Sequence, residues 1–328
     1  MARSSWFMVL VLLLVFALSA RLSDSALTPD YYNRTCPGVA SIVSGVVRQK
    51  RDATIRTIGS TIRLFFHDCF VEGCDASVLI QSTPGNPTEM DADDNKSLAF
   101  EGYDTVRGAK AAVEAACPDQ VSCADILALA TRDAIVLVHT DRSGGPFYEV
   151  ELGRLDGLSS SARSVAGKLP NPNHSMNQLI AIFRAHGLTM SHLVALSAAH
   201  TVGLAHCGKF ASRAYSSPPD PTLNPKYAAF LRSRCPFDRS SDPTVFMDQA
   251  SPARFDNQYF RNLQDGGGLL GSDQLLYTDN RTRPMVDSWA ASDAAFSKAF
   301  VDAIVKLGRV GVKSGRQGNI RKQCDVFN

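Results

Sequence analysis

Beyond its N-terminal segment, the 328-residue chain lacks any apolar run approaching the roughly 20 residues a membrane-spanning helix needs, so no span is expected. It also lacks an excess of charge. Its 34 Lys and Arg stand against 32 Asp and Glu, and a formal net charge of +2 gives no electrostatic case for nucleic acid. No two cysteines have the C-x-x-C spacing that would support a zinc cage. Alternating strand patterns are scarce, and there is no repeat, low-complexity tract or clear linker.

What is present begins with Arg3, an apolar run from Trp6 to Leu18, and small residues at Ser23, Ser25 and Ala26. This pattern predicts a secretory signal peptide over residues 1–25, followed by a single domain over residues 26–328. Cleavage after Ser25 would remove Arg3, Arg21 and Asp24, leaving 32 basic and 31 acidic residues and a net charge of +1. Eight cysteines in a secreted chain are an even number and can all pair. Their connectivity is open at this level, although Cys69 and Cys74 are close enough to staple a loop. A mature chain of about 300 residues builds a core without them. Each bridge is therefore read as extracellular protection, contributing roughly 2–4 kcal/mol by restricting the unfolded chain.

Apolar spacing predicts a mainly helical chain. Ile42, Val43, Val46 and Val47 recur at helical intervals. Ser122 with Asp125 resembles a capping box before Ile126, Leu127, Leu129 and Ala130. Ser191 is placed to cap Leu193 to Leu196, with His200 on the same stripe and Gly203 as the stop. Residues 290–307 read as one further helix. The best strand candidate is Tyr148 to Leu152, after the Gly144-Gly145-Pro146 turn. Proline clusters at Leu169 to Pro172 and Ser217 to Pro221 mark loops within one unit.

Chemistry is densest between Arg63 and Ser77. If the apolar run Ile62 to Phe66 ends a helix, Arg63, Phe66 and His67 share one face, because residues three and four apart are neighbours there. Asp68 faces away and can join Val71, Gly73, Asp75 and Ser77 around something else. A second cluster surrounds His200 in Ser197 to Gly203. Alone, a histidine on an apolar helix face reads as a packing residue. Beside the first motif, a ligand on one helix and an acid/base pair on another imply a flat cofactor between them. Haem fits, with a neutral imidazole on the iron and a carboxylate behind it.

From about Ala26 to the C-terminus, the chain resembles the secreted plant haem peroxidases of class III. The resemblance rests on Tyr32 to Pro37, Arg63 to Ser77, Val121 to Asp125, Leu152 to Asp156, Ala199 to Gly203, Phe255-Asp256-Asn257 and Gly271 to Gln274, in that order. It implies the mainly α plant haem-peroxidase fold, with one haem b between a distal and a proximal helical half and minor β-hairpins. It also implies reduction of hydrogen peroxide and one-electron oxidation of small phenolic donors, in cell-wall cross-linking, peroxide removal or stress response. His67 corresponds to the distal base, Arg63 to the cation that polarises the O–O bond, and Phe66 to a pocket wall. Asn95 corresponds to the acceptor from the other His67 nitrogen, and Glu89 to its support. His200 corresponds to the axial iron ligand, Asp273 to its carboxylate partner, and Pro170 to the donor site at the haem edge.

The resemblance further implies two calcium ions. A distal one would lie among Asp68, Val71, Gly73, Asp75 and Ser77, and a proximal one among Thr201, Asp248, Ser251, Arg254 through its main-chain oxygen, and Asp256. It pairs Cys36 with Cys117, Cys69 with Cys74, Cys123 with Cys324, and Cys207 with Cys235. The C-terminus at Asn328, without the longer tail of vacuolar members, favours the apoplast or cell wall, with cell-wall polymers as further partners and a monomer as the state. Sequons at Asn33, Asn95, Asn173 and Asn280 fit a glycoprotein, Asn95 being expected bare because the site claims it. The His139-Thr140-Asp141-Arg142 insertion and Leu204 depart from the family pattern. His139, His174, His186, His192 and His206 match no catalytic marker and read as surface or packing residues. A secreted haem-binding or wall-binding protein without turnover is the alternative, but it would not need Arg63, His67 and Asn95 together. A hydrolase using Cys69 would need a free thiol, and Cys74 is a near partner.

Overall fold

The computed structural model describes residues 27–137, 144–218, 220–237 and 242–328. The expected signal segment and the 139–142 insertion lie outside the described residues. Four helices form one half: α1 (Val39–Ala53), α2 (Arg56–Val71), α3 (Phe100–Ala116) and α4 (Cys123–Val136). In α1 the period of the valines places Val39, Val43 and Val47 in the core. Helix α2 continues past Phe66 to Val71 before Gly73, at φ +110°, turns the chain. A side chain on Gly73 would strike the backbone of Gly311, so only glycine fits that crossing.

The other half is carried by α5 (Met176–Ala185), α6 (Met190–Ser197) with a 3₁₀ turn over Ala198–Thr201, and the short helices α7 (Ala211–Tyr215) and α8 (Pro225–Arg234). It continues with α9 (Gln258–Gln264), α10 (Gly271–Thr278), α11 (Arg283–Ala291) and α12 (Asp293–Leu307). Helix α12 packs along α6, while α2 packs on α3 and α4. A single apolar core runs through both halves, from Phe65 and Ile126 to Leu196, Phe296 and Phe300. A smaller one around Phe210, Leu231 and Val245 lies beside the Cys207–Cys235 bridge.

Three local expectations are corrected. The cap of α6 is Thr189, whose hydroxyl accepts from the His192 N–H, while the Thr189 N–H donates to His192 Nδ1; Ser191 lies inside the helix. The 290–307 segment is broken at Ser292, which is extended and caps α12 by accepting from the Ala295 N–H. Tyr148 to Val150 form no ladder, and only Leu152 pairs, in a lone bridge with Thr28. The strands are instead two short antiparallel pairs. These are β1 (Asp156–Gly157) with β4 (Gly318–Asn319), and β2 (Leu204–His206) with β3 (Thr244–Phe246).

All eight cysteines are bonded, as Cys36–Cys117, Cys69–Cys74, Cys123–Cys324 and Cys207–Cys235. Two sequence markers prove to be buried ties. Asp125 accepts from the Tyr32 hydroxyl at 2.8 Å, the Gly153 N–H at 2.7 Å and Arg154 Nη1 at 2.8 Å. Ser122 still caps α4, but Asp125 does not return the bond that a full capping box would contain. Asp156 accepts from the N–H groups of Cys123, Ala124 and Arg321, bringing the C-terminal segment onto the start of α4. Removing one partner of such a buried charge pair costs about 3–5 kcal/mol.

Candidate active site

The two halves enclose a cleft of about 310 Å³. Arg63, Phe66 and His67 of α2 line it, facing Leu196, Ala199 and His200 at the end of α6, with Phe300 and Ile304 of α12 and Pro170 of a loop. The walls converge where Gly59 passes Gly203 backbone to backbone. A methyl on Gly59 would come within 2.8 Å of the Gly203 Cα, and Gly203 itself has φ +97°. The helical spacing of Arg63, Phe66 and His67 therefore delivers a cation, an aromatic wall and an imidazole to one space. Phe66 is held there by stacking on Phe70, with ring centroids 4.1 Å apart.

His67 is buried, and its Nδ1 is 2.7 Å from Asn95 Oδ1. The Asn95 amide is oriented by donating through Nδ2 to the Glu89 carbonyl at 2.8 Å, so its oxygen faces the imidazole. Nδ1 then carries the proton, and the Nε2 lone pair accepts from Arg63 Nε at 3.1 Å. Burial, reinforced by the Arg63 charge and opposed by the Asn95 bond, pushes the His67 pKa down to about 3. The imidazole is thus a neutral base aimed into the cleft. Arg63 is held in turn by the Ser97 carbonyl at 2.7 Å and the Ser97 hydroxyl at 2.9 Å, an anchor that sequence reasoning missed.

Glu89 supports Asn95 through its main-chain carbonyl. Its carboxylate is buried without a well-formed hydrogen bond among the described residues, and is pushed up to about 9 by burial and by the nearby Asp68 charge, against a weaker opposing contact with Ser77. On the facing wall, His200 Nδ1 lies 2.9 Å from Asp273 Oδ1. Asp273 occupies the first turn of α10 and also accepts from the buried Tyr259 hydroxyl at 3.0 Å, another contact with no local sequence signal. His200 Nε2 has no partner among the described residues. A lone imidazole nitrogen open to a largely apolar cleft, opposite a base and a guanidinium, fits a planar iron cofactor.

Two oxygen-rich sets adjoin these histidines. Asp68 and Asp75 are buried together and accept from the backbone at Ala76, Val78 and Ser77. Burial and mutual repulsion raise Asp68 well above the usual carboxylate range, and burial raises Asp75. The Ser77 hydroxyl beside them has no partner. These oxygens could hold a cation, although Lys313 Nζ already lies 3.5 Å from Asp75 Oδ2. Near His200, Ser251 Oγ donates to Asp248 and Asp256, at 3.2 and 3.0 Å, and Thr201 Oγ1 donates to the Arg254 carbonyl at 3.3 Å. The Arg254 side chain is largely exposed but keeps its Nε 3.6 Å from Asp256 Oδ2, while its main-chain oxygen faces Thr201. Each set contains only two carboxylates, and no cluster of three metal-binding His, Cys, Asp or Glu side chains occurs among the described residues.

A histidine with one open ring nitrogen, facing a neutral histidine and an arginine, suits a haem-dependent enzyme that acts on peroxide. The model of the peroxidase family, described as Peroxidase, matches residues 43–292. The chain is 50% identical to Peroxidase 51 of Arabidopsis thaliana over 326 residues, covering 98% of each chain. It is 51% identical to Peroxidase 73 of the same plant over 336 residues, covering all of both. The chain belongs to the plant haem peroxidase family, and it is a peroxidase that uses hydrogen peroxide and a reducing substrate.

Proposed function

We propose that the protein is a secreted class III peroxidase that oxidises small phenols one electron at a time, with the division of labour between the two walls set out here. The observation that carries this reading is the contact of His67 Nδ1 with Asn95 Oδ1, an amide turned by its own bond to the Glu89 carbonyl, which leaves Nε2 as the ring's acceptor, facing Arg63. His200 Nε2 would hold the haem iron, and Asp273 would orient the ring and increase its electron donation. Haem supplies the iron that binds peroxide and the electrons its cleavage consumes. His67 Nε2 takes a proton from one peroxide oxygen and returns it to the other, which leaves as water. Arg63 stabilises the negative charge that develops as the bond breaks, in a buried setting where a fixed cation is more effective than in water.

Two phenols then each give one electron and one proton, so that one peroxide and two donors yield two waters and two phenoxyl radicals. Pro170 lines the cleft and would mark the place where a donor meets the cofactor edge. Calcium at the Asp68 and Asp248 sets would fix the chain segments that follow His67 and His200. The N-terminal segment of residues 1–25 would direct export to the apoplast as a monomer, with wall polymers within reach. Stopped-flow absorbance of the haem-loaded protein tests the reading: peroxide should bleach the Soret band and guaiacol should restore it. An unchanged spectrum would leave a haem-binding protein without turnover.

A further inference from the structure

Asp273 is shared. The same oxygen, Oδ1, accepts from His200 Nδ1 at 2.9 Å and from the Tyr259 hydroxyl at 3.0 Å, while Oδ2 receives only the longer Leu270 N–H bond at 3.4 Å. We propose that Tyr259 is a positioning residue that limits how strongly Asp273 draws the His200 proton, and thereby sets the electron donation of the proximal imidazole to haem iron. The proposal rests on His200 being the axial ligand.

Hydrogen bonds to an ionised acceptor are stronger than neutral ones, and each donor on one oxygen reduces the density offered to the next. Tyr259 is only 4% exposed, and its hydroxyl has Asp273 as its partner. Burial, the Asp273 charge and the bond itself hold the phenol well above its ordinary pKa, so it remains a donor at every working pH. Its place is fixed two residues earlier, where Asn257 Nδ2 donates to the Trp289 and Ala290 carbonyls at 2.9 and 3.0 Å. The ring also packs edge-on against Phe260 at 5.2 Å. A phenol needed only for packing would not require its hydroxyl to end on the carboxylate that serves His200.

The decisive variant is Tyr259→Phe, which removes one oxygen atom. Freed of its competitor, Asp273 should pull harder on Nδ1–H. The ferric-to-ferrous equilibrium of the haem-loaded protein should then shift about tenfold toward ferric, about 59 mV for a one-electron couple. The iron–histidine stretch in resonance Raman spectra should rise in parallel. Should this variant fail to retain haem, 3-fluorotyrosine incorporated at position 259 keeps the shape and strengthens the donor, and the potential should move the opposite way. An unmoved potential in whichever variant holds haem, or a shift of opposite sign, overturns the proposal. Asp273→Asn is the control and should raise the potential. If Asp273→Asn also leaves it unmoved, the pairing of Asp273 with an iron-bound His200 fails; if only the Tyr259 variants are silent, that pairing stands and this inference falls.

Discussion

His67 has both ring nitrogens engaged within the protein, by Asn95 at 2.7 Å and Arg63 at 3.1 Å, whereas His200 commits only Nδ1, to Asp273 at 2.9 Å, and its side chain is 40% exposed. The difference matches two tasks. A base must have a fixed tautomer and stay neutral, which buried partners enforce; a ligand must keep one lone pair open toward the group it holds. The oxygen-rich sets differ in the same direction. The one beside His67 contains a hydroxyl, Ser77 Oγ, with no hydrogen-bond partner among the described residues, while the one beside His200 has its hydroxyls engaged by its own hydrogen bonds. A cation at the distal set would therefore satisfy an oxygen that the chain leaves unpaired, and its removal would be felt more there than at the proximal set.

The largest expected effects separate the two histidines. His67→Ala should slow the reaction with peroxide by about 10²–10⁴-fold, the usual contribution of a positioned acid/base, while haem remains bound. His200→Ala should instead deplete the haem, read as the ratio of Soret to protein absorbance. Equal haem loss in both variants would erase the division between walls. Next in size is Asn95→Ala, which frees the His67 tautomer without touching peroxide. A loss of about 10–100-fold in the peroxide rate is expected, as for other supporting contacts of this kind.

Smaller effects distinguish the cation sets. Ser77→Ala removes a hydroxyl with no well-formed hydrogen bond among the described residues, so with calcium chelated it should change the thermal midpoint little. Ser251→Ala removes a hydroxyl whose one proton is shared between Asp248 and Asp256 even without the ion, and should cost about 1–2 kcal/mol in chelator. With calcium restored, Ser77→Ala should gain less stability than the wild type. A midpoint equally lowered by Ser77→Ala in chelator and in calcium would show that the hydroxyl has no role toward an ion.

The legibility of the site follows how each residue is placed. Arg63, Phe66 and His67 were readable because a helix converts spacings of three and four into a shared face. Asn95 is 28 residues from His67, and Asp273 is 73 from His200; no period encodes those pairings, so resemblance supplied them. Ser97 and Tyr259 carry no local signature and were missed. The same limit explains the errors in the fold. Val150 is buried beside an extended segment, and Arg132 Nη1 takes the Tyr148 carbonyl at 3.4 Å, so an alternating pattern formed without a partner strand. Ser292 ended a helix because its hydroxyl offered α12 a better start than continuation through alanines.

The distal wall also makes a prediction about pH. His67 has its folded pKa lowered from 6.5 to about 3, chiefly by burial and then by Arg63. In that interval the unfolded chain binds the proton and the folded one does not. Its contribution to stability is therefore fully present above about 6.5 and is lost progressively as the pH falls toward 3. The base itself stays neutral over the same range, so the rate constant for peroxide should be flat from about pH 7 to about 4 and bend only near 3. Arg63→Leu removes one of the two causes that depress the pKa and should move the bend to higher pH. Asn95→Ala removes the bond that opposes them and should move it lower. A wild-type bend near 6.5 would mean that His67 is hydrated in the working enzyme, and that the burial separating it from His200 does not persist in solution.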